Sequence, residues 1–215
     1  ESEDLSALRH PNTKNQILNM PAYNQALQNW LSSMQCVCRD GSVSFECDNS
    51  KAVGNDKASN AQLRINTNNL RVLSSKIIGI KKIYWRKGKL DHNDVLFFSF
   101  VLIEKYPFIL EILRAKFAYM FIDEYQDTNP IQSHIVNEMR KKETVIGVIG
   151  DKAQSIYSFQ GADPTLFDSY EVDENSIHTI CSNHRSTNQI VGLLNRIRND
   201  INQNPCENID DIETI

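Results

Sequence analysis

Leu27, Trp30, Leu31 and Met34 recur at the three- and four-residue spacing of one helical face, which predicts a helix from about Tyr23 to Met34. Asp40-Gly41 then lies between Cys36-Val37-Cys38 and Val43-Ser44-Phe45, the pattern of a tight hairpin. Asp48 to Asn69 has few large apolar residues and reads as a surface loop. From Leu90 onward the pattern changes. Asp91 to Glu104 reads as a buried helix and Phe108 to Arg114 as a shorter one. Phe117 to Ile122 and Thr144 to Ile149 are short apolar runs with the length of buried strands, and Ser176 to Ile180 reads as a third strand. Between them, Thr128-Asn129-Pro130 opens a helix whose apolar face is Ile131, Ile135, Val136 and Met139, and Asp163-Pro164 opens another. Ser186 is placed to cap a last helix through Ile190, Leu193, Leu194 and Ile197. Alternating strands and helices predict an α/β fold: a parallel sheet flanked by helices, with its ligand crevice beyond the carboxyl ends of the strands. All three strands end in polar clusters, which should therefore converge.

Composition narrows the possibilities. The chain has 215 residues, 40% hydrophobic and 23% charged, enough to bury a core and too apolar for a wholly disordered chain. The longest nearly unbroken apolar run, Val95 to Ile103, is about half of the roughly 20 residues a membrane span needs, so no membrane partner is expected. Twenty-three basic against 27 acidic residues give a net charge of −4, which excludes a globally basic nucleic-acid coat. Any polyanion site must be local. Arg71 to Leu90 carries seven Lys and Arg, no acid, and Tyr84 and Trp85. It reads either as a track for a phosphate backbone or as a solvated face. Five scattered cysteines point to a reducing cytosol. Cys36-x-Cys38 with Cys47 approaches zinc spacing, but one intervening residue is tight and a fourth ligand would have to come from His10 or farther. Free thiols on a hairpin are the simpler reading. Glu1 in place of Met, with no leader after it, reads as the cut end of something longer.

The candidate chemistry sits at the strand ends. Asp123-Glu124-Tyr125-Gln126-Asp127 follows the first strand. Two adjacent carboxylates delivered into a crevice can hold Mg²⁺ and orient water for phosphoryl transfer. The alternative is a solvated acidic turn at the start of the next helix. Gly150-Asp151-Lys152-Ala153-Gln154-Ser155-Ile156-Tyr157 follows the second strand: a glycine for close backbone approach and, in Gln154, a neutral amide able to hydrogen-bond a phosphate oxygen or a water.

DEYQDTNPIQ, GDKAQSIYSFQGAD and NHRST, in this order and spacing, resemble motifs II, III and IV of UvrD/Rep-type superfamily 1 DNA helicases, over about Leu90 to Arg198. The resemblance implies an incomplete P-loop NTPase (RecA-like) sheet in residues 91–215, the C-terminal part of the first motor domain. It implies that residues 1–90 form a smaller, mostly helical accessory subdomain inserted in that domain. The implied activity is ATP-dependent, 3′–5′ unwinding of DNA, with ATP and Mg²⁺ as cofactors and single-stranded and duplex DNA as partners. In those roles Asp123 would hold Mg²⁺, Glu124 would activate the hydrolytic water, Gln126 would couple the nucleotide to neighbouring motifs, and Gln154 would sense the γ-phosphate. Arg185 would contact the γ-phosphate in cis, an arrangement worth roughly 10³ to 10⁵ in rate in arginine-finger enzymes. His184 stands where a tyrosine commonly stacks on adenine, and Tyr157 and Phe159 stand where the family presents aromatics to single-stranded DNA.

Departures matter too. Phe159-Gln160-Gly161-Ala162 replaces the usual Trp-Arg-Gly-Ala, and Lys152-Ala153 replaces an acidic pair. No Gly-x-x-x-x-Gly-Lys-[Ser/Thr] occurs, so the cradle for the β- and γ-phosphates is missing from these residues. The chain alone is therefore expected not to hydrolyse ATP. A second reading is a degenerate helicase-like module that binds DNA or a protein without ATP chemistry. A third makes it the motor portion of a helicase–nuclease, repair or phage-defence assembly.

Overall fold

The computed structural model describes residues 21–56, 61–158 and 161–206. Phe159, one of the two predicted DNA-contacting aromatics, lies outside the described residues. Two compact units divide between Ser169 and Tyr170.

In the first unit, α1 (Pro21–Ser32) matches the predicted helix and buries Ala22, Tyr23, Ala26, Leu27 and Trp30. The hairpin β1 (Gln35–Arg39) and β2 (Ser42–Glu46) forms as expected. Asp40 and Gly41 take left-handed φ values of 50° and 71°, as a turn matched to strand twist requires. The predicted loop from Asp48 to Asn69 is instead a second antiparallel hairpin, β3 (Val53–Asp56) with β4 (Ala61–Arg64), leading into α2 (Thr67–Ser74). Its few apolar residues decide the matter: Ala52 and Ile65 are buried with Trp30, Leu70, Leu73 and Ile77 in one core. Next comes α3 (Ile77–Arg86), so the described residues between 21 and 90 combine three α-helices with two hairpins.

An ion cluster around the buried Lys81 joins α3 to α4 (His92–Lys105). Asp91 and Asp94 form a reciprocal capping box, and both carboxylates meet the buried Lys81 ammonium, at 2.5 Å and 2.9 Å. Asn93 accepts from the Cys36 N–H and donates to the Met34 carbonyl, tying the start of β1 to the same helical turn. After α5 (Phe108–Lys116), β5 (Tyr119–Ile122) pairs in parallel with β6 (Val145–Val148), Ile122 opposite Val148. Between them lies α6 (Pro130–Arg140), capped by Asn129 with Gln132 and opened by Pro130. Met120 and Ile146 pack against Ile103, Leu110 and Met139. The opposite face of this pair is not buried. Tyr119 and Phe121 are 70% and 73% exposed, which corrects the expectation of fully buried strands: among the described residues, helices cover one face only. A short helix, α7 (Thr165–Asp168), closes the unit.

In the second unit the expected strand at Ser176–Ile180 is absent. Ile177 and Ile180 are 62% and 75% exposed, so that stretch has no partner among the described residues to bury it and stays irregular. The parallel pair there is β7 (Ser182–Asn183) with β8 (Asn204–Pro205). The helix α8 (Asn188–Ile197) follows Thr187 rather than Ser186 as its cap. No helix among the described residues is long and apolar enough to cross a membrane.

Candidate functional site

Parallel pairing of β5 with β6 sets their carboxyl ends side by side, which brings the DEYQD and GDKAQ segments together. The ladder continues past the strands, Ile149 N–H donating to Ile122 O at 2.8 Å and Tyr125 N–H to Ile149 O at 2.9 Å. Asp123 and Glu124 are exposed at this edge. Glu124 holds a left-handed φ of 52°, a conformation costly for a residue with a Cβ and concentrated at functional sites. Asp123 Oδ1 accepts the Glu124 N–H at 2.9 Å, and this bond helps fix the turn.

Gln126 is fully buried and bridges the two segments. Its Nε2 donates to Glu124 Oε2 at 2.7 Å, and its Oε1 accepts the Asp151 N–H at 3.0 Å. Gly150 makes this possible: a Cβ there would stand 2.5 Å from Gln126 Oε1 and 3.1 Å from the Phe167 ring. Tyr125, also fully buried, anchors the turn through its hydroxyl to Ser133 Oγ at 3.0 Å. Thr128 Oγ1 donates to the Tyr125 carbonyl at 2.7 Å, and the Thr128 carbonyl accepts from Asp163 N–H at 3.0 Å. Asp151 Oδ1 caps the next turn through Ala153 N–H at 3.1 Å, while Oδ2 accepts from Gln154 Nε2 at 2.8 Å. Lys152 pairs with Asp168. Tyr157 is 42% exposed. Asp127 Oδ1 and Ser155 Oγ, one on each segment, are buried and have no hydrogen-bond partner among the described residues.

In the second unit, Asn183 shapes the loop that carries His184 and Arg185, both exposed. Its Oδ1 accepts the N–H groups of Arg185 and Ser186 at 2.9 and 2.8 Å, and its Nδ2 donates to Gln203 Oε1 at 2.6 Å. The structure thus groups Asp123, Glu124, Gln126 and Gln154 at one sheet edge and carries Arg185 and His184 on the other unit's loop. Sequence reasoning missed Asp151 as the partner of Gln154 and Asn183 as the organiser of the arginine loop. An aspartate or asparagine two residues before the N–H it accepts was the available signal.

The donor set fits Mg²⁺. That ion is held by one or two carboxylates together with waters and phosphates, and Asp123 offers an exposed carboxylate next to a segment bearing a neutral amide. No three His, Cys, Asp or Glu side chains among the described residues group to cage a metal. Cys36, Cys38 and Cys47 form no disulfide among the described residues, and His10, the other zinc candidate, lies outside them. Burial, reinforced by Cys38 and opposed by Lys81, pushes Cys36 up to about 12; burial likewise takes Cys47 to about 12.

The sequence matches the family model of the UvrD/REP helicase N-terminal domain over residues 5–175. The chain belongs to the UvrD/REP helicase family. It is 34% identical over 138 residues to the ATP-dependent DNA helicase PcrA of Bacillus subtilis strain 168, covering 63% of this chain and 19% of that protein. It is 36% identical over 121 residues to the PcrA of Staphylococcus aureus strain Mu50, covering 55% and 17%. The PcrA of Leuconostoc citreum is 33% identical over 120 residues, covering 55% and 16%. This UvrD/REP-family chain therefore spans less than a fifth of the length of those relatives.

Proposed function

We propose that the chain supplies the hydrolysis-and-sensing edge of an ATP-driven motor that translocates 3′–5′ on single-stranded DNA and unwinds duplex. In this reading residues 91–215 belong to its first RecA-like domain, and residues 1–90 are an accessory subdomain inserted in that domain. The observation that carries the reading is the Gln126 bridge. One buried amide contacts the carboxylate suited to act as a base and the backbone that leads into the Gln154 and Tyr157 loop.

Glu124 takes the proton of the attacking water. Gln126 keeps that carboxylate oriented and transmits the state of the 151–157 loop to it. Gln154, held by Asp151, turns its amide to the terminal phosphate, and Arg185 forks onto the phosphoryl oxygens as charge spreads in the transition state. Asp123 would hold Mg²⁺, which when bound neutralises charge developing on the phosphates. His184 stacks on adenine, and Tyr157 with Phe159 stacks on successive bases. The β- and γ-phosphate cradle must come from residues outside these 215, since no Gly-x-x-x-x-Gly-Lys-[Ser/Thr] occurs among them.

The test is strand displacement by the full-length protein containing this chain. Unwinding of a 3′-tailed duplex that requires ATP, with 5′-tailed duplex left intact, is expected. No phosphate release and no unwinding on any DNA would favour a binding module instead.

A further inference from the structure

Arg185 lies in the short connection between Asn183, the last residue of β7, and Thr187, the cap of α8. Among the described residues its guanidinium makes no hydrogen bond or ion pair, so its aim is set from its backbone. That backbone is held by the Asn183 side chain, whose Oδ1 takes the N–H groups of Arg185 and Ser186. A primary amide can do this in one orientation only, because turned over it would set its NH₂ against two N–H donors. The same orientation leaves Asn183 Nδ2 in need of an acceptor. Gln203 Oε1 supplies it at 2.6 Å.

Gln203 is itself clamped. Asn195, in the last turn of α8, accepts the Gln203 N–H on Oδ1 at 2.8 Å and donates Nδ2 to the Gln203 carbonyl at 2.9 Å. One amide thus holds both backbone polar groups of one residue. Arg198 and Asp200 close the turn that brings residue 203 back beside the helix, Nε donating to Oδ1 at 3.0 Å. The β8 ladder completes the frame, with Asn204 N–H donating to the Cys181 carbonyl at 2.7 Å and Cys206 N–H to the Asn183 carbonyl at 3.2 Å. Asn183, Asn195 and Gln203 are half-buried, where water does not fully replace a lost acceptor. Three amides in series therefore run from α8 to the backbone of Arg185. A cation that forks onto phosphoryl oxygens must be placed closely, since a misplacement of about 1 Å can cost about 10² in rate. We infer that Gln203, locked by Asn195 and acting through Asn183, is a positioning residue that aims Arg185 for phosphoryl transfer. This rests on the reading of Arg185 as the cation at the terminal phosphate and names what holds it in place.

Single-turnover, DNA-stimulated phosphate release by the full-length protein containing this chain tests it. Rates are expressed per nucleotide-binding molecule, so that partial unfolding does not imitate a slowed step. Gln203→Met keeps the side-chain length and removes the acceptor. It is expected to slow release roughly 10- to 100-fold while the nucleotide Kd stays within about threefold of wild type. Gln203→Glu keeps an acceptor oxygen for Asn183 Nδ2 and should recover most of the rate. Arg185→Ala is expected to slow release by about 10³ or more. In that background Gln203→Met should cost less than about twofold, because no guanidinium is left to aim. Gln203→Ala repeats the cycle with a second side chain that lacks the acceptor. An unchanged rate in both acceptor-free variants, an equal loss with Gln203→Glu, a loss that persists in full beside Arg185→Ala, or a loss confined to nucleotide affinity would each overturn the inference. An unchanged rate in Arg185→Ala would remove the phosphate-contact reading of Arg185 and the inference with it. A slowed Arg185→Ala beside unaffected Gln203 variants would remove the inference alone, so the two failures are distinguishable.

Discussion

Gln126 and Asp151 stand 25 residues apart in sequence and are joined by a hydrogen bond from the Asp151 N–H to the Gln126 side-chain oxygen, 3.0 Å long. The other end of the same amide holds Glu124 at 2.7 Å, so one side chain ties the Asp151 loop to the carboxylate. Hydrogen bonds to charged groups are worth about 1.5–3 kcal/mol. If that orientation is used in the transition state, Gln126→Ala in the full-length protein should lower DNA-stimulated phosphate release roughly 10- to 100-fold. A rate within twofold of wild type would show that the bridge is only structural.

Gly150 is coupled to the same bridge, since an added Cβ would lie 2.5 Å from Gln126 Oε1. Gly150→Ala should displace the amide and reproduce much of the Gln126→Ala loss. In the Gln126→Ala background it should cost less than in wild type, because the closest clashing atom is gone and the 3.1 Å approach to the Phe167 ring remains. A double-mutant cycle on phosphate release checks this, and additive losses would contradict it.

Local chemistry made much of this legible in the sequence. Asn129-Pro130 announced α6 through a cap and a proline whose missing N–H costs nothing in a first turn, and Asp40-Gly41 announced its hairpin. Pairing between segments was less legible. The second hairpin was hidden because Val53–Asp56 and Ala61–Arg64 carry little apolar alternation, and their stability comes from Ala52 and Ile65 packing beneath Trp30. Ile177 and Ile180 misled in the opposite direction: apolar residues predict a strand only if a neighbour covers them. At the site, residue types named the candidate carboxylates, but only the parallel register of β5 with β6 reveals that one amide spans both segments.

Lys81 and Asp94 are 8% and 3% exposed in their side chains, so breaking the pair leaves a charge in the interior. Lys81→Met should destabilise the chain by about 3–5 kcal/mol, measured by urea unfolding. Asp91, the second partner of Lys81, has an acid signature. Burial opposes ionisation of Asp91, but hydrogen bonds from Lys81 and from the backbone N–H groups of Asp94 and Asn93 outweigh it and hold the carboxyl below its usual range. A carboxyl lowered in the folded state stabilises above its unfolded value, about 4, and that contribution is lost as pH falls through the folded value. The unfolding midpoint of wild type should therefore drop below about pH 4 more steeply than that of Lys81→Met. Parallel curves would contradict this.

Cys36 and Cys47, both raised to about 12 by burial, should resist alkylation at pH 8, where the thiolate fraction is on the order of 10⁻⁴. Peptide mapping after iodoacetamide treatment should find both unmodified in the native chain and both modified in urea. Rapid native labelling of either would place it outside the core.

The most direct test of the central claim is single-strand-stimulated phosphate release by the full-length protein carrying Glu124→Gln, an isosteric change that removes the base. A general base contributes about 10²–10⁴ in rate, so turnover should fall by at least about a hundredfold while nucleotide and DNA binding persist. Turnover within a few-fold of wild type would mean that Glu124 is not the group that takes the proton from water.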